Sequence, residues 1–297
     1  MPPPARASPS ACSDLPKRWP RASRARASRA AHGRGSPWPP LPPDYPAGVP
    51  PRRDASPEPP LARTAAILPV KRMAGAKRRL AASTATALRQ HLAAAMVSDV
   101  LGALAQASAI ARTIVVTCEP SVAAQARAQG AIVLEDAAEA GQSAAAAIGI
   151  ARALAEGFER VLCVPGDCPA LEPAELDRLL GPVSERGPEA AGSPRAEVLI
   201  VPDRHGTGTN GLLLTPPDVI TPSFGPGSCE RHRALARAAG AALRLEHPPS
   251  LVLDVDTGED LAALRARLAG TDATAPRTRS VLGQPERRPI LSISTTG

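Results

Sequence analysis

Two short stretches carry carboxylates where chemistry on phosphates would need them. The segment Arg160–Leu171 reads RVLCVPGDCPAL. Its apolar run Val161–Val164 predicts a strand buried on both faces of a parallel sheet, stopped by Pro165 and Gly166. Asp167 therefore stands at the carboxyl end of that strand, the edge at which open α/β sheets bind ligands. The same Pro-Gly-Asp step is also an ordinary turn, and the Asp could serve the helix that follows Pro173. Further on, LVLDVD places Asp254 and Asp256 on one side of an extended segment, because side chains alternate along a strand. Two carboxylates on one side repel unless a cation lies between them. Mg²⁺ takes one or two carboxylates together with substrate phosphates, so Asp167 with Asp254, Asp256 or both is a candidate metal site.

Cations and small residues supply the anion-binding counterpart. Lys71, Arg72, Lys77, Arg78 and Arg79 surround Gly75 directly after the apolar run Ala65–Val70. Such a loop can share the charge of a polyphosphate between ammonium groups and backbone N–H groups, or can simply be a solvated basic loop. It lacks the G-x-x-x-x-G-K-[ST] spacing of a P-loop. Glu139–Ser143 opens an Ala-rich helix at Gly141 and Gln142, where small residues admit a base or ribose to a helix N-terminus; an ordinary helix start with Ser143 near its cap fits as well. DRHGTGTNGLLL, with Thr207 and Thr209 between glycines 206, 208 and 211, suits a phosphate or a long hairpin connection. Gly225 and Ser228 precede a helix carrying Arg231, His232 and Arg233, a second candidate anion site.

The elements that must position these residues alternate. Strands are predicted at Ala65–Val70, Thr113–Cys118, Ala131–Leu134, Val161–Val164, Val198–Val201 and Leu251–Leu253. Between the first two, Leu88, Leu92, Met96, Val100 and Leu104 recur every four residues, an amphipathic helix whose stripe is core. A short helix follows through Ala123–Ala128, another runs to about Leu154, and Glu172-Pro173 and Thr257–Leu261 open two more. The order βαβαβ implies a mainly parallel sheet with right-handed crossovers. Gly181–Arg195 reads as a surface loop.

Composition excludes several classes. Of 297 residues only 2 are Phe, 1 Tyr and 2 Trp, and Trp19, Trp38 and Tyr45 all precede residue 61, so the core must be aliphatic. The formal charge of +7 sits wholly in residues 1–63, which hold 11 basic and 4 acidic residues; the remaining 24 of each sign cancel. Residues 1–62 form a Pro/Arg-rich segment too poor in periodicity to fold, read as a solvated extension with initiation near Val49 or Leu61. A neutral folded part without stacking aromatics argues against nucleic acid as a partner. No apolar run reaches signal-peptide or transmembrane length, so the expectation is a cytoplasmic protein that does not meet a membrane. The five cysteines form no C-x-x-C pair, which argues against zinc. The folded domain is expected over 63–270 and a disordered tail over 271–297. Homo-oligomerisation is left open.

Five blocks in order, ILPVKRMAGAKRRL, VLCVPGDCPAL, DRHGTGTNGLLL, FGPGS…RH and LDVDT-x-x-DL, resemble the guanylyltransferases of coenzyme F-420 biosynthesis. The resemblance covers roughly Ala65–Leu268. It implies a three-layer α/β fold with a mixed, mainly parallel sheet of the nucleotidyltransferase (GT-A-like) type. It also implies an enzyme that transfers GMP from GTP to a phosphorylated three-carbon acid, phosphoenolpyruvate in particular, releasing diphosphate. Carried over by position, Thr209, Gly225 and Ser228 contact the substrate phosphate. Asp167 with Asp254 and Asp256 holds Mg²⁺, and Lys71 and Lys77 face the GTP phosphates beside Gly141 and Gln142. One step departs from the pattern: Gly141-Gln142-Ser143 stands where many members have a Gly-Leu-Asn-like step. The Gly-rich L-x-G-G-x-S/G-x-R-M-G loop of molybdopterin and sugar-phosphate nucleotidyltransferases is missing, Gly75 being alone in its loop.

Overall fold

Alternate residues of each central strand go to opposite faces of one sheet, and that alternation builds the molecule. In the computed structural model, which describes residues 63–73, 86–181, 196–270 and 274–283, Ala65 and Ile67 of β1 (Thr64–Val70) enter one apolar cluster. Ala66, Leu68 and Val70 enter the other. The same division holds in β2 (Ile110–Thr117), β4 (Arg160–Cys163), β5 (Glu197–Pro202) and β6 (Thr209–Thr215). Each of these strands has a middle buried on both faces, the burial that their unbroken apolar runs predicted.

With β3 (Ile132–Leu134) and β7 (Ala242–Leu245) the described residues form a seven-stranded sheet in the order β3-β2-β1-β4-β6-β5-β7. Pairings are parallel except at β6, which runs antiparallel to both β4 and β5. One face is covered by α1 (Thr86–Gln106), α2 (Pro120–Ala128) and α4 (Pro173–Leu180), the other by α3 (Gln142–Ala155) and α5 (Ser228–Ala238). The fold is therefore the expected three-layer α/β arrangement. Small residues let the layers approach closely. At Gly149 of α3 an added Cβ would lie 2.5 Å from Ile67 Cγ2, so no side chain fits between helix and strand.

Two expectations fail, each for a physical reason. Leu251–Leu253 is not a strand but a turn, in which Leu251 and Val252 donate their N–H groups to Pro248 O at 2.9 and 3.2 Å. Leu251 and Leu253 are apolar because they anchor the turn in the core, not because they pair with a neighbour. The edge strand in this half is instead β7, parallel to β5, only four residues long and half-buried, too slight to announce itself. Secondly, the disordered tail expected from 271 contains α7 (Pro276–Leu282). Its first turn is held by Asp99 of α1, whose carboxylate accepts the N–H groups of Arg277 (3.1 Å) and Thr278 (2.8 Å). Ala275, Val281 and Leu282 then join a third apolar cluster with Leu92 and Met96 of α1 and with Leu261, Leu264 and Leu268 of α6 (Gly258–Ala269). The extension 1–62 and Gly75, Lys77, Arg78 and Arg79 lie outside the described residues, as does most of the 181–195 loop. Among the described residues no helix is long and apolar enough to cross a membrane.

Candidate active site

From β1 the chain builds β2 and β3 on one side and β4 and its neighbours on the other, and a cleft of about 450 Å³ opens at that switch point. Its walls include Lys71 and Arg72 after β1, Gly141 and Gln142 at the start of α3, and Asp167 after β4, with Asp256 at one end. Gly141 caps α3 with φ +108°, a conformation other residues adopt only under strain. Among the described residues no side chain caps α3, whose N-cap is Gly141 itself. Arg72 reaches across to Glu139 at 2.6 Å, joining the β1 loop to the loop before α3. That hydrogen bond raises the already high pKa of its guanidinium. Asp136, nearly buried on the cleft wall, accepts the Glu139 N–H at 3.1 Å and was not flagged by sequence.

The structure brings Asp167, Asp254 and Asp256 together: one carboxylate oxygen from each lies within 4.8 Å of the others. Gly166 is required next to Asp167, because an added Cβ there would sit 2.9 Å from Val97 Cγ2 of α1. The two halves of the cluster are tied by a backbone bond from Val255 N–H to Asp167 O at 3.0 Å. Asn210, the second residue of β6, donates from Nδ2 to Leu251 O, Val252 O and Asp254 Oδ1 at 3.0, 3.2 and 3.1 Å. It thereby does for the 251–254 turn what a partner strand would have done. Asp256 leads into α6, whose Thr257–Asp260 capping box fixes the turn; Asp260 Oδ2 also accepts the Asp256 N–H at 3.1 Å. Burial raises the Asp254 pKa above the ordinary carboxylate range, and the charge of Asp167 adds to it, against the Asn210 hydrogen bond. A carboxylate made uncomfortable by its neighbours is the electrostatic mark of a place that a divalent cation would relieve.

A second constellation lies at the same end of β6, around its first residue, Thr209. Ser228, first residue of α5, donates its hydroxyl to Thr209 Oγ1 at 3.1 Å, and Thr209 Oγ1 lies 3.0 Å from Nδ1 of His232. Gly225, exposed with φ +107°, begins the turn into the helix. The expectation of a bare helix N-terminus is modified here. Ser228 N–H is bonded to Gly225 O and Cys229 N–H to Thr207 O, so the first amides of α5 are partly spent and hydroxyls are what the corner offers. Thr209 and Ser228 are nearly enclosed, at 7% and 1% exposure, behind the 223–227 loop. That loop touches the start of α3 as well: Phe224 N–H donates to Ser143 Oγ at 2.8 Å. Ser143 is thus a clamp between loops rather than the cap of its own helix.

A family model described as "Guanylyl transferase CofC like" matches residues 64–277. The chain belongs to this guanylyl transferase family. A phosphoenolpyruvate guanylyltransferase of Conexibacter woesei is 50% identical over 224 residues, covering 74% of this chain and 96% of that protein. One from Sphaerobacter thermophilus is 37% identical over 201 residues, covering 68% and 92%. Among solved structures, a candidate nucleotide-diphospho-sugar transferase of Desulfovibrio desulfuricans matches with a TM-score of 0.57 at 16% identity, covering 74% of this chain and 93% of that one, which speaks to the fold alone. Within this guanylyl transferase, the sequence did not single out Asn210 or Asp136, and it placed His232 on the helix after Ser228 without its contact to Thr209. Both Asn210 and His232 are buried polar residues, bonded to Asp254 44 positions away and to Thr209 23 positions away, and only a lone polar residue inside an otherwise buried element could have flagged those contacts.

Proposed function

We propose that this protein transfers GMP from GTP to phosphoenolpyruvate, releasing diphosphate and forming enolpyruvoyl-2-diphospho-5'-guanosine in coenzyme F-420 biosynthesis. The convergence of Asp167, Asp254 and Asp256 beside the β1/β4 cleft carries the reading. The named activity of the similar Conexibacter and Sphaerobacter proteins supports the choice of acid.

In this reading the nucleotide lies in the cleft, its phosphates facing Lys71 and, from outside the described residues, Lys77; Gly141 and Gln142 admit the nucleoside at the α3 N-terminus. Thr209, Ser228 and Gly225 receive the acid's phosphate. An oxygen of that phosphate attacks the α-phosphorus of GTP; the new P–O bond forms as the bond to the β-phosphate bridging oxygen breaks, and diphosphate leaves with the electron pair. The attacking phosphate is already anionic at neutral pH, so no side chain has to remove a proton. The protein's task is to hold two anions in line against their repulsion. Asp167, Asp254 and Asp256 would hold Mg²⁺, which would neutralise phosphate charge when bound.

The test is diphosphate release by the full chain with Mg²⁺ and GTP, supplied separately with phosphoenolpyruvate, 2-phospho-L-lactate and 3-phospho-D-glycerate, with ATP as the nucleotide control. Release with GTP and phosphoenolpyruvate is expected, and Asp167→Asn should reduce it by orders of magnitude while the circular dichroism spectrum stays native. Turnover with another acid moves the assignment within the family. Silence with all three from a folded protein refutes it.

A further inference from the structure

The proposed transfer uses no general base, yet the structure buries an imidazole completely beside the proposed acid-phosphate corner. His232 has no solvent exposure and is bonded through both ring nitrogens. Nε2 lies 2.8 Å from the backbone N–H of Ser223, which can only donate, so Nε2 must present its lone pair. In a neutral ring the proton is then on Nδ1, and Nδ1–H points at Thr209 Oγ1, 3.0 Å away. A doubly protonated ring would set two donors against each other at Ser223. Burial, with the charge of Arg231 behind it, agrees by pushing the His232 pKa down to about 4.

The consequence falls on Thr209. Its oxygen accepts from His232 Nδ1–H and from the Ser228 hydroxyl, so its own hydrogen is left to donate. The same ring supports the 223–227 loop from within: Ser223 hangs on Nε2, and the Phe224 ring packs edge-on against the imidazole with centroids 5.2 Å apart. Arg231 holds the loop from outside through Ser223 Oγ, Ser223 O and Phe224 O. One imidazole therefore fixes both walls of the corner, the Thr209 hydroxyl and the loop that carries Gly225.

We propose that His232 is a positioning residue for the acid substrate: its Nδ1–H polarises Thr209 into a hydrogen-bond donor toward the phosphate, and its Nε2 holds the Gly225 loop in place. The inference rests on the reading of Thr209 and Ser228 as phosphate contacts. It assigns no proton transfer to the ring.

The test uses the full chain with GTP, Mg²⁺ and phosphoenolpyruvate. In His232→Gln the side-chain amide reaches the Nε2 position and can still accept from Ser223, but the donor to Thr209 is gone. In His232→Asn the amide lies at the Nδ1 position and can still donate to Thr209. His232→Gln should raise the KM for phosphoenolpyruvate about tenfold with the KM for GTP within twofold, the size of one lost hydrogen bond to a charged ligand. His232→Asn should recover only part of that loss, because it keeps the donor to Thr209 but leaves the Ser223 N–H without its acceptor. Adding His232→Gln to Thr209→Val should change nothing further, because both act through one hydroxyl. Fully additive effects, or an equal rise in the KM for GTP, overturn the inference. An unchanged phosphoenolpyruvate KM in Thr209→Val itself refutes the underlying phosphate reading instead. Independently, ¹⁵N spectra of histidine-labelled protein at neutral pH should show one of its five histidines as a neutral Nδ1–H tautomer that His232→Gln removes; an Nε2–H tautomer for His232 overturns the assignment.

Discussion

Asp254→Asn should make the metal-free protein more stable and the enzyme nearly inactive. The structure gives the size of the first effect. Asp167, Asp254 and Asp256 present oxygens within 4.8 Å of one another. Two unit charges at that distance repel by about 3 kcal/mol at the effective dielectric constant of ~20 that suits such pairs. The three side chains are only half-buried, and screening by water and salt should reduce the net relief to about 1–2 kcal/mol. For a domain of this size that is a rise in Tm of about 4 °C. The substitution is clean because the amide oxygen can still accept from Asn210 Nδ2, so the 251–254 turn keeps its support. The pH dependence has a definite sign. The folded-state pKa of Asp254 is raised, so its contribution to stability is full below the ordinary carboxylate range and is lost as the pH rises through the folded value. The advantage of the variant should therefore be present at pH 7.5 and fade in acid. Mg²⁺ should reverse the ranking: saturation at about 100 times Kd stabilises the wild type by about 2.7 kcal/mol, and the variant should lose most of that response. Thermal melts followed by circular dichroism in EDTA and in Mg²⁺, with diphosphate release on the same samples, decide it. An unchanged or lowered Tm in EDTA together with an intact Mg²⁺ response would refute the idea that these carboxylates form a repulsive, cation-binding cluster.

Two further predictions concern the frame. His232 titrates near 4 in the folded protein against about 6.5 unfolded, so it favours the native state above pH 6.5 and loses about 3 kcal/mol of stability as the pH falls to 4. The difference between wild-type and His232→Asn melts across that window isolates the term from the carboxylates, and a pH-independent difference would contradict it. Gly149→Ala would drive a methyl to 2.5 Å from Ile67 Cγ2 at the α3–β1 contact. It should cost about 1–3 kcal/mol in a urea titration, and a neutral result would mean that the two layers can part without penalty.

How much of this was legible follows from where the information sits. Strands buried on both faces cannot hide, since the middles of β1, β2, β4 and β5 must be continuously apolar, and the ends of those runs alone put Lys71 and Asp167 at the carboxyl edge of the sheet. Leu251–Leu253 fails by the same rule: an apolar triplet signals burial, and burial alone does not say whether the backbone bonds go to a strand or, as here, to the side chain of Asn210. The helix α7 was hidden for the complementary reason. Its seven residues carry little periodicity of their own, and what orders them is a carboxylate on α1 nearly 180 positions earlier.

The candidate site divides along the same line. Aspartates and lysines that would face phosphates remain polar where the chain leaves the sheet, so they stand out against apolar runs. Asn210 and His232 lie inside or against buried elements, and neither would touch a phosphate in the mechanism drawn here. Asn210 instead places Asp254 from behind, as His232 places Thr209. Both sit on or against β6, among the described strands the one that runs antiparallel to both its neighbours. Reversing that strand brings its first residues, Thr209 and Asn210, to the edge where β1 and β4 end. Adjacent side chains there point to opposite faces, so one reaches the Ser228 corner and the next reaches the carboxylate cluster. A single reversed strand thus joins the corner proposed for the acid phosphate to the carboxylate cluster proposed for the metal. Its Thr-Asn step is where a substitution should disturb both halves at once.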